Sequence, residues 1–245
     1  MSPAPHNPAR LIAGSLPVLL IADHASAFVP PDITLGVHPD MMSRHSALDI
    51  GVGALTEALA ANLDAPAIIA TLSRLVVDLN RAPGSPGLIP ITADGDEVPG
   101  NAALTAEERE RRVADYHAPY HDAVAAQLDA QPPRLIVSVH SFTPRLLSRP
   151  DELRPWHVGI LYNRDDRAAR IALPMLRADG IIAGDNEPYS GRDLNYTMNR
   201  HAEARGIPYL GLEIRQDELD DDDAVGRWAA VLGRVILACL PKEPT

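Results

Sequence analysis

The sequence predicts an α/β fold of three layers, in which a mixed, mostly parallel sheet lies between helices. Short, continuously apolar runs of strand length recur along the chain and indicate strands that are covered on both faces. Segments with helical spacing separate these runs, and strands that alternate with helices are typical of a parallel or mixed sheet. A chain of 245 residues can bury a sizeable core, so we expect a single domain over residues 1–245.

Seven apolar runs predict the strands in chain order. The first three are PVLLIA at 17–22, AIIATL at 67–72 and LVVDL at 75–79. The later four are LIVSVH at 135–140, HVGILY at 157–162, GIIAG at 180–184 and PYLGLEI at 208–214. None of these runs alternates apolar with polar residues, which favours burial on both sides of the sheet.

Five segments between or after the strands have helical spacing, at residues 46–63, 105–130, 164–180, 192–206 and 222–240. Thr105, followed by Glu108, forms a capping box at the start of the second helix. Gly180 and Gly206 stand where helix-ending glycines belong. The acidic run 220–223 precedes the last helix, where carboxylates favour the positive end of the helix dipole.

Two segments predict irregular structure. Residues 81–104 are dense in proline and glycine, and residues 184–193 are polar and directly follow a predicted strand. Long loops in compact domains are often functional, so both are candidates for shaping a binding site.

The composition excludes several classes of function. A formal net charge of −11 argues against a nucleic-acid partner, which requires a basic face, and against attachment to an anionic membrane. One cysteine, Cys239, leaves no internal disulfide framework and no cysteine-rich zinc module. No apolar stretch reaches the roughly 18 residues of a membrane span, and no signal peptide is apparent, so we expect a cytoplasmic protein.

Polar side chains cluster at the ends of four predicted strands. Asp23 and His24 follow the first strand, and His140 ends the run at 135–140. The other groups are Asp78, Asn80 and Arg81 near the third strand, and Glu213 and Arg215 at the last. In open α/β sheets, ligands bind at the carboxyl ends of the strands, so we expect these groups to meet there.

Two histidines and a carboxylate are a plausible set of ligands for a divalent metal, most often zinc, with one position left for water. A further carboxylate would act as general base. The spacing alone also allows a purely structural interpretation, in which His140 is a core histidine. His117 and His121, four residues apart on a predicted helix, lack an acidic partner and favour surface or packing roles.

Five blocks of the sequence together resemble the N-formylglutamate amidohydrolase family. They are ADHASAFVP at 22–30, RLVVDLNR at 74–81, SVHSF at 138–142, NEPYSG at 186–191 and GLEIRQDEL at 211–219. The resemblance implies a zinc carboxypeptidase-like (phosphorylase/hydrolase-like) fold with a mixed eight-stranded sheet and one zinc ion, as in the related aspartoacylases. It implies that His24 and His140 bind the metal and that Glu213 is the general base. Asn80 and Arg81 would grip a substrate carboxylate, as a planar guanidinium can do with two hydrogen bonds.

One position departs from the carboxypeptidase pattern, because Ala27 stands where a metal-binding glutamate is expected. Our first candidate for the third ligand is Asp49, in the segment RHSALDIG, with Asp23 and Glu187 as weaker candidates. Asp49 could instead be a carboxylate of the first helical turn.

Three further residues are candidates for substrate binding. They are Arg74, Tyr189 and Arg215, of which the last could alternatively form a salt bridge with Glu213.

We therefore expect a zinc-dependent amidohydrolase that acts on an N-formyl or N-acyl acidic amino acid, with N-formyl-L-glutamate as the leading substrate. The alternatives are a deacylase or carboxypeptidase-like hydrolase of another carboxylate-bearing substrate, and a protein that binds an acidic metabolite without chemistry. The expected partner is a small acidic molecule rather than nucleic acid or membrane, and a homo-oligomer is left open.

Overall fold

The computed structural model describes residues 6–242 and forms a mixed sheet between two helical layers. The strands of the described residues are β1 (Ala9–Ile12), β2 (Val18–Ala22), β3 (Ala67–Ala70), β4 (Thr92–Ala93), β5 (Asp96–Glu97), β6 (Leu135–Phe142), β7 (Val158–Leu161), β8 (Ala183–Asp185) and β9 (Tyr209–Arg215). Seven of them form the main sheet in the order β1-β3-β2-β6-β9-β7-β8, and β4 pairs with β5 in a small hairpin. The resemblance implied eight strands in the main sheet, so that expectation is corrected to seven for the described part of the chain.

The pairing of the strands confirms a mixed, mostly parallel sheet. β3, β2, β6 and β9 run parallel to one another, and β8 is parallel to β7. β1 is antiparallel to β3, and β7 is antiparallel to β9. The carboxyl ends of the central strands β2, β6 and β9 therefore meet at one edge of the sheet.

The helices are α1 (Val52–Leu63), α2 (Pro99–Ala102), α3 (Ala106–Arg112), α4 (Ala118–Ala130), α5 (Ala169–Ala178), α6 (Tyr196–His201) and α7 (Asp222–Cys239). A π-helical turn, Val113–His117, joins α3 to α4, and short 3-10 helices cover Pro39–Ser43, Glu203–Arg205 and Gln216–Glu218. None of the helices in the part of the chain that the structure describes is long and apolar enough to span a membrane.

Alternate residues of β2 pack into different layers, which shows how the two helical layers cover the sheet. Leu20 joins the core formed with α1, α5 and α7, whereas Leu19 and Ile21 join the core on the opposite face, beneath α4. All three side chains are 0–1% exposed. The continuous apolar run of β2 therefore reports burial on both faces, as the sequence predicted.

The predicted strand at 75–79 is wrong. This segment is a series of turns, in which Val76 N donates to Ser73 O, and Asp78 N donates to Leu88 O of the following loop. Val76, Val77 and Leu79 pack into the core beneath α4, and Leu75 packs into a smaller cluster with Leu35 and Val98. Burial by irregular backbone thus produces the same apolar run as a strand.

The predicted helix at 105–130 is interrupted by the π-helical turn near Pro119. Proline has no N–H to donate to the carbonyl four residues earlier, and its ring crowds that carbonyl. The chain widens by one residue instead, and Ala118 N donates to Val113 O. The capping box of Thr105 and Glu108 is present at the start of α3, as predicted.

Candidate active site

The candidate site lies where the carboxyl ends of β2, β6 and β9 meet. His24 follows β2 by two residues, His140 lies in β6, and Glu213 of β9 is paired directly with His140 in the sheet register. The three side chains are 3%, 6% and 8% exposed. The parallel arrangement of these strands brings together groups that are far apart in sequence.

Asp49 completes a compact set of donor atoms with the two histidines. Its Oδ2 lies 3.3 Å from His24 Nδ1 and 2.9 Å from His140 Nδ1. One ligand atom from each of the three residues lies within 4.8 Å of the other two, so the group could hold a metal ion. Zinc bonds of about 2.0–2.2 Å to nitrogen and oxygen separate neighbouring ligands of a tetrahedral site by roughly 3.3–3.6 Å. The Asp49–His24 pair already has this spacing, and the Asp49–His140 pair is closer, at hydrogen-bond distance.

The turn before α1 aims Asp49 at the site. Its backbone N–H donates to the carbonyl of His24 at 2.8 Å, and Gly51 two residues later has a φ of 79°. A Cβ at Gly51 would lie 2.5 Å from Leu219, so only glycine fits this turn. Asp49 therefore precedes the helix and faces inward, instead of serving as a carboxylate of its first turn.

Buried carboxylates hold the outer nitrogens of both histidines. His24 Nε2 donates to Asp78 Oδ1 at 2.8 Å, and His140 Nε2 lies 3.6 Å from Asp23 Oδ2. Asp23 in turn accepts a hydrogen bond from Tyr120 at 2.7 Å. Such outer partners are typical of metal-binding histidines, because they fix the tautomer that leaves the inner nitrogen free to bind.

Arg74 joins two of the site's carboxylates. It donates from Nη1 to Asp49 Oδ1 at 3.1 Å and from Nη2 to Asp78 Oδ2 at 2.8 Å. Burial alone would raise the pKa of Asp78, but the charges of Arg74 and His24 hold it well below its usual value. The sequence suggested Arg74 as a substrate ligand, whereas both of its terminal nitrogens are engaged in orienting the acidic groups.

The electrostatics of His24 follow from the same contacts. Burial and the charge of Arg74 lower its pKa, but Asp78 and Asp49 outweigh them and raise it to about 9. A metal ion would have to replace this proton, because only neutral imidazole binds metal.

Glu213 carries an unsatisfied carboxylate into the same cavity. Its Oε2 is buried and has no hydrogen-bond partner among the described residues. Burial, helped by the charge of Asp49 and opposed by that of His140, raises the pKa of Glu213 to about 7. A carboxyl group with a pKa near neutrality can both accept and donate a proton under working conditions.

The cavity around these groups measures about 160 Å³ and is also lined by Asn80, Arg81 and Tyr189. Among the described residues, the nearest acid to Arg81 is Asp78, with 3.9 Å between Nε and Oδ2. Asn80 Oδ1 accepts from the backbone N–H of Thr197 at 2.9 Å, which leaves its amide NH₂ for a ligand. Arg81 and Asn80 can therefore bind an anion in the cavity.

Arg154, which the sequence analysis missed, supports Tyr189. Its guanidinium lies 4.9 Å from the centre of the Tyr189 ring and donates from Nη1 to the Tyr189 hydroxyl oxygen at 3.0 Å. Because that oxygen accepts from Arg154, the Tyr189 O–H is free to donate into the cavity. Arg154 lies in an irregular segment with no motif around it, so only the folded chain reveals this contact.

The structure does not bring Arg215 to the cavity. Its guanidinium donates to Asp217 at 2.7 Å and to Glu218 at 3.2 Å, in the 3-10 helix that follows β9. Within the described part of the chain it forms no salt bridge with Glu213. Of the other candidates for metal binding, Asp23 lies behind His140, and Glu187 presents its backbone carbonyl to Gly159.

Comparison with known families agrees with this geometry. The sequence profile of the N-formylglutamate amidohydrolase family matches residues 16–219, a range that contains the His24-Asp49-His140 group, Asn80, Arg81 and Glu213. The chain belongs to the N-formylglutamate amidohydrolase family. It is accordingly a hydrolase that acts on amide bonds.

Solved structures share this fold. A gene product from Agrobacterium tumefaciens is 31% identical, with a TM-score of 0.90 over 96% of this chain and 95% of that chain. The N-formylglutamate amidohydrolase from Ralstonia eutropha JMP134 is 21% identical, with a TM-score of 0.70 over 95% of this chain and 96% of that chain. No curated protein matched the sequence.

Proposed function

We propose that the protein is a zinc-dependent amidohydrolase that removes the formyl group from N-formyl-L-glutamate, giving formate and L-glutamate. The observation that carries this proposal is the compact His24-Asp49-His140 group beside the unpartnered carboxylate of Glu213, in one small cavity. The family and its Ralstonia relative bear the name of this activity, which supports the choice of substrate.

The donor set favours zinc. Two imidazole nitrogens and one carboxylate oxygen are a ligand set of catalytic zinc sites, which keep a further position open for water or substrate. A zinc ion held there would polarise the scissile carbonyl and lower the pKa of a water molecule. His24, Asp49 and His140 would hold it, with Asp78, Asp23 and Arg74 fixing their orientation.

Glu213 would move the proton. Its free Oε2 would accept the proton of the attacking water and pass it to the amide nitrogen as the C–N bond breaks. The products are then a carboxylate, formate, and the free amine of glutamate. Tyr189 would donate its O–H to a substrate oxygen, with Arg154 holding the phenol in place.

Arg81 and Asn80 would bind a carboxylate of the substrate. The guanidinium of Arg81 provides a planar pair of N–H groups, and the amide of Asn80 adds a donor beside it. A cavity of about 160 Å³ is smaller than the roughly 300–1,000 Å³ of sites for drug-sized ligands. It suits a small amino-acid derivative.

The alternative of a binding protein without catalytic activity depended on Ala27, which stands where a metal-binding glutamate was expected. The position of Asp49 supports a three-residue ligand set instead. A different acyl group or amino acid remains an alternative substrate, and a panel of N-formyl and N-acetyl derivatives of glutamate, aspartate, glutamine and leucine separates these cases.

The test of the mechanism is Glu213→Gln, with zinc content and turnover measured on the same samples. We expect one zinc per chain in both proteins and a loss of turnover of about 100-fold or more in the variant. Glu218→Gln, a change outside the cavity, is the matched control and should keep its activity. Turnover near the wild-type rate in Glu213→Gln would contradict the assignment of the base, and N-formyl-leucine cleaved as well as N-formylglutamate would contradict the assignment of the substrate.

A further inference from the structure

A pair of histidines on α4 and the preceding π-helical turn lies directly behind the anion-binding residues. His117 and His121 are four residues apart, and both are 0–1% exposed. The π-helical turn ends at His117, two residues before Pro119. Single π turns inside helices occur frequently at functional sites, because they change which side chains face the interior.

Both histidines donate to the backbone of the anion-binding segment. His117 Nε2 donates to the carbonyl of Arg81, and His121 Nε2 donates to the carbonyl of Leu79, each at 2.9 Å. These carbonyls lie on either side of Asn80, whose side chain is itself held by the backbone N–H of Thr197 on α6. The segment 79–81 is thus fixed from behind at three successive residues.

A third histidine sets the tautomer of His121. Because His121 Nε2 must carry the hydrogen that Leu79 accepts, its Nδ1 is an acceptor, and His201 Nε2 donates to it at 2.9 Å. Arg205 approaches the remaining nitrogen of His201 at 3.4 Å. Burial lowers the pKa of His121 to about 2, with the charges of His117 and His201 adding to the effect, so the neutral form matches this hydrogen-bond pattern.

We propose that His117 and His121 are positioning residues for the substrate carboxylate, acting through the backbone carbonyls of Arg81 and Leu79. They fix the direction in which the Arg81 guanidinium and the Asn80 amide meet that carboxylate. This inference rests on the proposed function, in which Arg81 binds the substrate. The metal-binding group and Glu213 are not in contact with these two histidines, so substrate binding should be affected more than the chemical step.

The experiment compares His121→Leu with His121→Gln. Leucine removes the donor to Leu79, whereas the side-chain amide of glutamine can restore it. We expect His121→Leu to raise KM about tenfold, as for loss of a hydrogen bond that orients a charged contact, with kcat nearly unchanged. In His121→Gln, KM should return to within about threefold of wild type. Val124→Ala, a cavity-forming change on the same helix, is the control for general destabilisation.

Hydrogen exchange of the peptide that contains residues 79–82 provides a readout that does not need turnover. It should become faster in His121→Leu and stay near wild type in His121→Gln and Val124→Ala. If His121→Leu does not fold, the pair His117→Leu and His117→Gln makes the same comparison at the carbonyl of Arg81.

An unchanged KM in the leucine variants, or an equal rise of KM in Val124→Ala, would overturn the inference. Failure of the proposed function is distinct. In that case the wild-type protein would cleave none of the N-acyl amino acids, or Arg81→Leu would leave KM unchanged.

Discussion

Removing the charge of Asp78 tests whether this carboxylate orients His24 for the proposed binding of zinc. Asp78 Oδ1 accepts from His24 Nε2 at 2.8 Å and from the backbone N–H of Asn80 at 2.9 Å, while Oδ2 accepts from Arg74 at 2.8 Å. In Asp78→Asn the amide oxygen can keep the first two bonds. The amide NH₂ would then face the guanidinium of Arg74, and two donors would oppose each other.

Two effects set the size of the loss in zinc affinity. Loss of an outer-shell partner typically costs about 10–100-fold in metal affinity, or about 1.4–2.7 kcal/mol. Asp78→Asn also releases one arm of Arg74, whose other arm contacts Asp49, itself in the metal-binding group. We therefore expect a rise in the Kd for zinc near the upper end, about 100-fold.

The assay is a competition titration with a chromophoric zinc chelator at neutral pH, with circular dichroism to confirm that the variant is folded. Asp151→Asn, an exposed change outside the site, should leave the Kd as in wild type. A folded Asp78→Asn protein whose Kd is within about threefold of wild type would refute the reasoning that Asp78 orients His24 for metal binding.

Three further predictions concern the rest of the site. Arg81→Leu should raise KM for the substrate by about 10–100-fold, because a hydrogen bond to a charged group contributes about 1.5–3 kcal/mol. Arg215→Leu should leave KM unchanged, and equal effects of the two substitutions in steady-state kinetics would contradict the roles given to the two arginines. Tyr189→Phe should lower kcat/KM by about 3–10-fold through loss of one neutral donor, and an unchanged kcat/KM would show that the hydroxyl does not touch the substrate. Because the pKa of His121 is lowered from 6.5 to about 2 on folding, its contribution to stability is complete above pH 6.5 and is lost as the pH falls. Chemical denaturation should therefore show that wild type loses about 2 kcal/mol more than His121→Gln between pH 6.5 and 5, and parallel pH profiles would contradict a neutral buried His121.

Much of the fold could be predicted from the sequence because burial on both faces leaves a simple signal. The runs that became β2, β6 and β9 are apolar over most of their length, and each carries a polar group near or just beyond its carboxyl end. β1 was missed because it is an edge strand in which Arg10 and Leu11 are exposed, so its sequence contains no continuous apolar run. The segment 75–79 predicted a strand but forms turns, because buried turns can consist of apolar residues just as buried strands do.

The candidate site was predictable where a residue lies in a strand-end block and less so elsewhere. Asp49 was correctly placed with the two histidines, although only the turn at Gly51 explains why it faces them. Arg215 is the last residue of β9, and its guanidinium turns to Asp217 and Glu218 of the 3-10 helix that follows instead of entering the cavity. Arg154 acts through Tyr189 across a gap of 35 residues, a distance over which spacing carries no information.

The loop that carries Tyr189 rests on main chain rather than on side chains. A Cβ at Gly159 would lie 2.2 Å from the carbonyl oxygen of Glu187, and one at Gly184 would lie 2.5 Å from the same atom. The loop that carries Tyr189 therefore packs directly on the backbone at Gly159 and Gly184, and this contact fixes its distance from the sheet. A single methyl group at either glycine would clash with the carbonyl of Glu187 and displace the loop. The position of Tyr189 at the cavity thus depends on two glycines that do not line the cavity themselves.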